Sequence, residues 1–367
     1  MLTTKHSIRI WDLPTRVFHW LLVLSFILAW LSQGDDRCLD IHVFAGYLFS
    51  GLLTFRLIWG FVGSKYARFL SFPYLKTWDY LKTLFTPQRQ HFMGHNPAGS
   101  WAVLIILGLG LAVSITGLLT LGGEEQHGPL AGMIGFELGD GFHWWHDIIA
   151  WFMLGVIAVH ILGVLGESWL HQENLIKAMF TGLKFTPIQS INVPKHGVMA
   201  TFLIGLVIVG TLSYFNGYFL VANYRPFIGP NLPNNAVWQE ACAECHLAYH
   251  PSLLPARSWQ RMLAEQDSHF EEDLYLEPDV IAELQIFANE NSAEKTLTEV
   301  AWKNNRSIPL EQSPQRITEI DYWQEKHQDI DDDIWQSSKV NFKGDCGACH
   351  LDAEQGTFED SAMYLPE

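Results

Sequence analysis

Long apolar runs alternate with short charged segments over the first 221 residues, and beyond them the pattern stops. The run at 142–166, FHWWHDIIAWFMLGVIAVHILGVLG, is almost uncharged and long enough to cross a bilayer as a helix. Further runs at 17–33, 41–62 and 101–121 predict three more spans, and a fifth follows at 197–222. Asp12 and Pro14 stand just before the first run, where helices favour such residues. No small-residue cleavage site follows that run, so it reads as a retained signal anchor. Between spans two and three, the aromatic stretch FLSFPYLKTWDYLKTLF predicts an amphipathic helix lying at the membrane interface. Pro226, Pro230 and Pro233 mark a linker. From residue 236 the chain is polar, with helical propensity around 258–264 and 278–288 and few alternating β-branched runs. The expected fold is all-α: a transmembrane four-helix bundle in 1–196, a fifth tethering helix at 197–222, and a small, mostly helical soluble domain at 223–367.

Charge orients the spans. Residues 1–221 carry 13 Lys and Arg against 12 Asp and Glu, a net +1, while 222–367 carry 10 against 27, a net −17. Twelve of the 13 basic residues lie before span one, in the second or fourth loop, or, as Arg56, near the inner end of span two; Arg37 alone lies on the other side. The positive-inside rule then makes the N-terminus cytoplasmic, and five spans deliver the acidic domain outside. An acidic surface does not suit nucleic acid.

Histidines inside apolar spans need a reason. His146 and His160 are 14 residues apart, nearly four turns and ~21 Å, so both point off one helix face. With the orientation above, His19 and His160 share an inner depth, and His42 and His146 an outer one. Facing neutral imidazoles at two levels suit two bis-histidine, non-covalent haems b. His143, one turn before His146, is a rival for the outer level, and Arg16 and Arg56 are candidates to pair with inner-haem propionates.

Four of the five cysteines form two copies of C-x-x-C-H, Cys242-Ala-Glu-Cys245-His246 and Cys346-Gly-Ala-Cys349-His350, the pattern that attaches haem c covalently. The cysteines form thioethers and the histidine ligates iron. The alternative, a structural zinc held by two C-x-x-C pairs, does not explain the histidine after each pair. His269 and His327 are far enough along the chain to fold over as distal ligands; His250, Met262 and Met363 are further candidates. Cys38 reads as a free thiol. Two haems would supply much of the small domain's apolar core.

The segments WDLPTRVFHW (11–20), HVFAGY (42–47) and HILGVLGESWLHQENLIKAM (160–179) resemble the bacterial cytochrome b561 and hydrogenase cytochrome b family over about 5–190. That resemblance implies a four-helix bundle with two haems b on His19, His42, His146 and His160, exchanging electrons with quinone. The segment CAECHLAYHPSLLPARSWQRML, with HF at 269–270, RIT at 316–318 and CGACH at 346–350, resembles the dihaem cytochrome c family over about 238–360. It implies bis-histidine haems c, with His269 and His327 distal; which serves which haem stays open.

Together these readings predict a protein of the bacterial inner membrane that oxidises quinol. Electrons pass through two haems b and two haems c to a soluble periplasmic acceptor, such as a small haem protein. A second reading is the cytochrome b anchor of a hydrogenase or dehydrogenase, delivering electrons to quinone. A third is a haem-based redox or gas sensor, which requires an open coordination position.

Overall fold

The computed structural model describes residues 6–34, 38–84, 86, 90–186, 193–216 and 231–366. Lys5, Arg37, Arg89, Pro226 and Pro230, with most of the expected linker, lie outside the described residues. The architecture is all-α, as expected, apart from one two-stranded sheet. The chain divides into two compact units, one formed by 1–33, 41–120 and 140–222 and the other by 34–40, 121–139 and 223–367.

In the first unit, strand β1 (His6–Arg9) leads into helix α1 (Leu13–Ser32). Asp12 caps α1 by accepting a hydrogen bond from the Thr15 N–H at 3.1 Å, with Pro14 in the first turn. The Asp12 carboxylate is fully buried, accepts from the Trp59 indole N–H at 3.1 Å and lies 3.4 Å from His196 Nδ1. One side chain thus ties the start of α1 to helix α2 (Leu39–Val62) and to the approach of the fifth span. Helix α3 (Thr77–Thr83) is short. The aromatic stretch expected to be one interfacial helix is instead two 3₁₀ turns, Phe69–Ser71 and Tyr74–Lys76, followed by α3. Pro73 accounts for the break, because it lacks an N–H and clashes with the preceding turn.

Helices α4 (Pro97–Gly123) and α5 (Phe136–His171) follow, then α6 (Leu175–Thr181), strand β2 (Leu183–Thr186) and α7 (Gly197–Tyr214). The helices α1, α2, α4, α5 and α7 are all long and apolar enough to cross a membrane. With 36 residues, α5 is ~54 Å long and outruns the hydrocarbon core at both ends. Its exposed residues include Trp144, Trp151, Phe152, Val159, Leu162 and Trp169, an apolar face suited to lipid, while Met153 is buried against Phe49, Leu53 and Leu107. Where α2 meets α4, a Cβ on Gly110 would sit 3.0 Å from Leu53 and 3.1 Å from Phe49, so glycine allows the close approach. β1 and β2 pair antiparallel, His6 opposite Thr186 and Arg9 opposite Leu183. That pairing joins the start of α1 to the end of the fourth apolar helix, as an even number of crossings between them requires.

The second unit carries α8 (Ala236–Cys242), α9 (Ala256–Ala264), α10 (Pro278–Glu290), α11 (Glu299–Ser307), α12 (Asp321–His327) and α13 (Asp332–Trp335). The sequence leads one to expect haem to supply much of this unit's core, and side chains build a core of their own as well. Trp238, Leu254, Trp259, Leu263, Leu284, Phe287, Ile308 and Ile320 are buried together. Trp238 lies edge-on to Trp259 at 5.2 Å. Each indole N–H finds a carbonyl, Trp238 on Tyr249 at 3.1 Å and Trp259 on Pro251 at 2.8 Å, so the large rings are buried without an orphaned donor.

Candidate functional site

The membrane unit brings His42, in the first turn of α2, to His146 on α5, with ring centres 6.1 Å apart and planes at 76°. A carbonyl only accepts, so the neighbouring carbonyls fix both tautomers. His42 Nδ1–H donates to Ala29 O at 2.9 Å, and His146 Nδ1–H donates to Val113 O at 3.1 Å. Thr116 Oγ1 is a further 3.2 Å neighbour of His146 Nδ1. Each ring therefore keeps the lone pair on Nε2, the form that binds a metal. A Cβ on Gly117 would lie 3.0 Å from the His146 ring, so that glycine makes room for it. His143 has a half-exposed side chain 3.9 Å from Asp147, and it is His146 whose ring meets His42.

His19 on α1 and His160 on α5 lie near each other. Around them are buried nitrogens without a hydrogen-bond partner: His19 Nδ1, Arg16 Nε and Arg56 Nη1. Arg56 is only 4% exposed and its guanidinium stands over the Phe69 ring at 4.6 Å. Arg16 also donates to the Phe180 carbonyl. Sequence reasoning missed His95, whose ring packs between Trp11 (4.8 Å) and Phe72 (4.5 Å). Burial, then Arg56, hold that imidazole down to about 3, neutral at any physiological pH. No spacing rule flags His95, which lies outside the spans.

In the soluble unit His246 meets His269 with ring centres 6.3 Å apart, and His350 meets His327 at 6.2 Å. His246 and His327 hold their Nδ1–H on the carbonyls of Leu247 and Trp323, both at 2.7 Å. His327 also stacks on Trp323 at 4.2 Å. Burial is the main reason that His269, His327 and His350 titrate low, His350 down to about 4, so these imidazoles are neutral near pH 7. The second attachment motif is a tight turn in which the His350 N–H donates to Cys346 O at 2.8 Å. His246 stacks on Tyr249, whose hydroxyl donates to Gly344 O at 2.6 Å, two residues before Cys346. Tyr249 thus links the two motifs across 95 residues. After His269, Phe270 and Glu271 both take left-handed backbone (φ 48° and 79°), at a cost of ~1–2 kcal/mol per residue. Arg316 stacked over the Phe270 ring at 4.2 Å helps to hold that turn.

Of the reserve candidates, His250 is otherwise engaged. His250 donates from Nε2 to Pro233 O at 3.1 Å and accepts the Ser252 N–H on Nδ1 at 3.1 Å, which occupies both nitrogens. A Cβ on Gly356 (φ +76°) would lie 2.4 Å from His250 Cβ. Met262 packs on the apolar core, and Met363 pairs by its backbone with His350. Among the described residues the four motif cysteines form no group with metal-ligand spacing, so the two pairs do not converge on one zinc.

These spacings can be tested against a haem iron. A five-membered ring with bonds near 1.35 Å places its nitrogen ~1.15 Å from the ring centre. With metal–imidazole bonds of ~2.0 Å, two trans imidazoles have centres ~6.3 Å apart. The observed 6.1, 6.3 and 6.2 Å fit that requirement. Orphaned guanidinium nitrogens at the inner level are what a buried propionate would satisfy.

Residues 10–182 match the family model for prokaryotic cytochrome b561, and residues 238–358 match that for dihaem cytochrome c. Among curated relatives, the probable Ni/Fe-hydrogenase B-type cytochrome subunit of Azotobacter vinelandii is 26% identical over 212 residues, covering 48% of this chain and 88% of the relative. The probable Ni/Fe-hydrogenase 1 B-type cytochrome subunit of Escherichia coli K12 is 24% identical over 210 residues, covering 48% and 89%. Among solved structures, a dihaem cytochrome c from Rhodobacter sphaeroides is 28% identical, covering 35% of this chain and 100% of that one, with a TM-score of 0.32. A dihaem cytochrome c from Shewanella baltica OS155 is 29% identical, covering 37% and 95%, with a TM-score of 0.30. Residues 10–182 thus match prokaryotic cytochrome b561 and residues 238–358 dihaem cytochrome c, and with five apolar helices these matches indicate an integral membrane haem protein of electron transfer.

Proposed function

We propose that this chain oxidises quinol in the inner membrane and passes the electrons outward to a soluble periplasmic acceptor. Two non-covalent haems b sit between His19 and His160 and between His42 and His146. Two covalent haems c sit on Cys242, Cys245 and His246 with His269 distal, and on Cys346, Cys349 and His350 with His327 distal. The observation that carries the reading is the recurrence of paired imidazoles at 6.1–6.3 Å in both units. Bound haem supplies a one-electron ferric/ferrous couple. Paired imidazoles would hold the iron and leave no coordination site for substrate, and carbonyls fix the Nδ1 groups of His42, His146, His246 and His327. This argues against the gas-sensor alternative. Arg16 and Arg56 would neutralise the propionates of the haem held by His19 and His160. Tyr249 holds the two attachment motifs in one relation, which favours transfer between the haems c.

The curated relatives' names favour a second reading, in which electrons arrive from a hydrogenase and leave to quinone. Copurification of a hydrogenase with the chain would select it. In the first reading, a pyridine haemochrome spectrum gives equal haem b and haem c, and excess quinol reduces all four haems in membrane vesicles. Haems that stay oxidised under those conditions refute it.

A further inference from the structure

The ligand-bearing face of α5 does not end at His160. Glu167 lies seven residues beyond it and His171 eleven, close to two and three whole turns, so both stand on nearly the same face as His146 and His160. Polar groups that continue a ligand face past the inner level need a purpose as much as the ligands do. Tyr80, buried at 3% exposure, donates its hydroxyl to Glu167 Oε2 at 2.6 Å and accepts from Asn96 Nδ2 at 3.0 Å. The other Glu167 oxygen lies 3.5 Å from His171 Nε2. The His171 ring meets the His91 ring edge-on, with ring centres 5.4 Å apart. His91 Nε2 lies 3.3 Å from Glu173 Oε2, which Lys184 anchors at 3.3 Å. Side-chain exposure rises along this line from 9–12% at His171 and Glu167 to 44% at His91, so it runs from the interior to water.

We propose that Glu167, His171 and His91 form a proton-exit relay from the membrane interior to the side of the membrane that carries the N-terminus, with Tyr80 and Glu173 as positioning residues. This rests on the reading of the chain as a quinol oxidant. Oxidation of one quinol breaks its two O–H bonds and turns the ring C–O bonds into carbonyls. Two electrons reduce two ferric haems to ferrous, and two protons remain. Glu167 takes each proton in turn, His171 carries it to His91, and His91 releases it to water.

The test uses the full-length holoprotein in proteoliposomes with decylubiquinol as reductant and a pH dye on the N-terminal side. Wild-type protein should acidify that side as its haems reduce. Glu167→Gln should slow quinol-driven haem reduction at least tenfold while haem content and reduction by dithionite stay unchanged. His91→Ala, at the exposed end, should slow it as well and recover with added imidazole, a rescue that a merely structural role would not show. Should Glu167→Gln lose its haem, the His91→Ala rescue decides. Wild-type rates in His91→Ala, or a slow His91→Ala that imidazole leaves slow, overturn the relay. Wild-type haems that quinol cannot reduce overturn the parent reading, and the relay with it.

Discussion

Replacing His146 by alanine tests the outer membrane level most directly. The site holds one imidazole from α2 and one from α5, with ring centres 6.1 Å apart. Removing one ring leaves a single ligand and a gap of a whole imidazole, bounded by Thr116 and by Gly117, which offers no side chain to fill it. One of four haems should then be lost or converted to a five-coordinate form. The haemochrome ratio of b to c falls from 1:1 to 1:2 if the haem leaves; otherwise about half of the haem b becomes high-spin. The haem c bands should not change, because thioether attachment does not depend on the bundle. The inner level, ~21 Å further along α5, should keep its haem. His143→Ala serves as the control and should retain 1:1. A His146→Ala protein with equal b and c and an unaltered low-spin spectrum would refute the assignment, as would the loss of haem b in His143→Ala.

Other perturbations separate ligands from scaffold. His269→Ala should open one haem c to carbon monoxide in the reduced protein, whereas His250→Asn should leave the haem spectrum alone and lower stability by ~1–3 kcal/mol through lost buried hydrogen bonds, read by chemical denaturation. Asp12→Ala removes a helix cap and strands the Trp59 N–H, an expected loss of ~2–3 kcal/mol, seen as a lower Tm in detergent. Burial works to raise the Glu173 carboxyl, but His91 and Lys184 outweigh it and hold it below its ordinary 4.5. A depressed carboxylate stabilises the fold above its unfolded value, and that contribution is lost as pH falls through the folded one. Tm should therefore drop more steeply below pH 4.5 in wild-type protein than in Glu173→Gln.

The helices and their histidines were readable because lipid imposes a coarse rule: uninterrupted apolar length, with any imidazole conspicuous inside it. The C-x-x-C-H motifs were legible for a different reason, since attachment chemistry demands adjacent residues. Contacts between distant segments were not legible. Which distal histidine meets which proximal one depends on the turn at Phe270 and Glu271 and on the stacking of His327 over Trp323, and neither leaves a periodic trace. Gly117 and Tyr249 act through space they leave or bridge, so composition hides them. The interfacial stretch misled because its aromatic amphipathicity was given more weight than one proline. In the second unit, low aliphatic content concealed a core in which two tryptophans and a phenylalanine join leucines and isoleucines.

The pairing of β1 with β2 bears on the order of assembly. β1 leaves the ribosome before α1, yet its partner strand is not made until the α5 helix has been synthesised. Domains fold broadly in the order of their synthesis, but here the N-terminal strand must wait with its ladder edge unmatched through four helix insertions. The sheet therefore acts as a clasp that closes only after four of the five apolar helices have been made. A nascent chain halted before residue 183 would present threaded but unfastened helices, which a protease probing the N-terminal segment would distinguish from the finished protein.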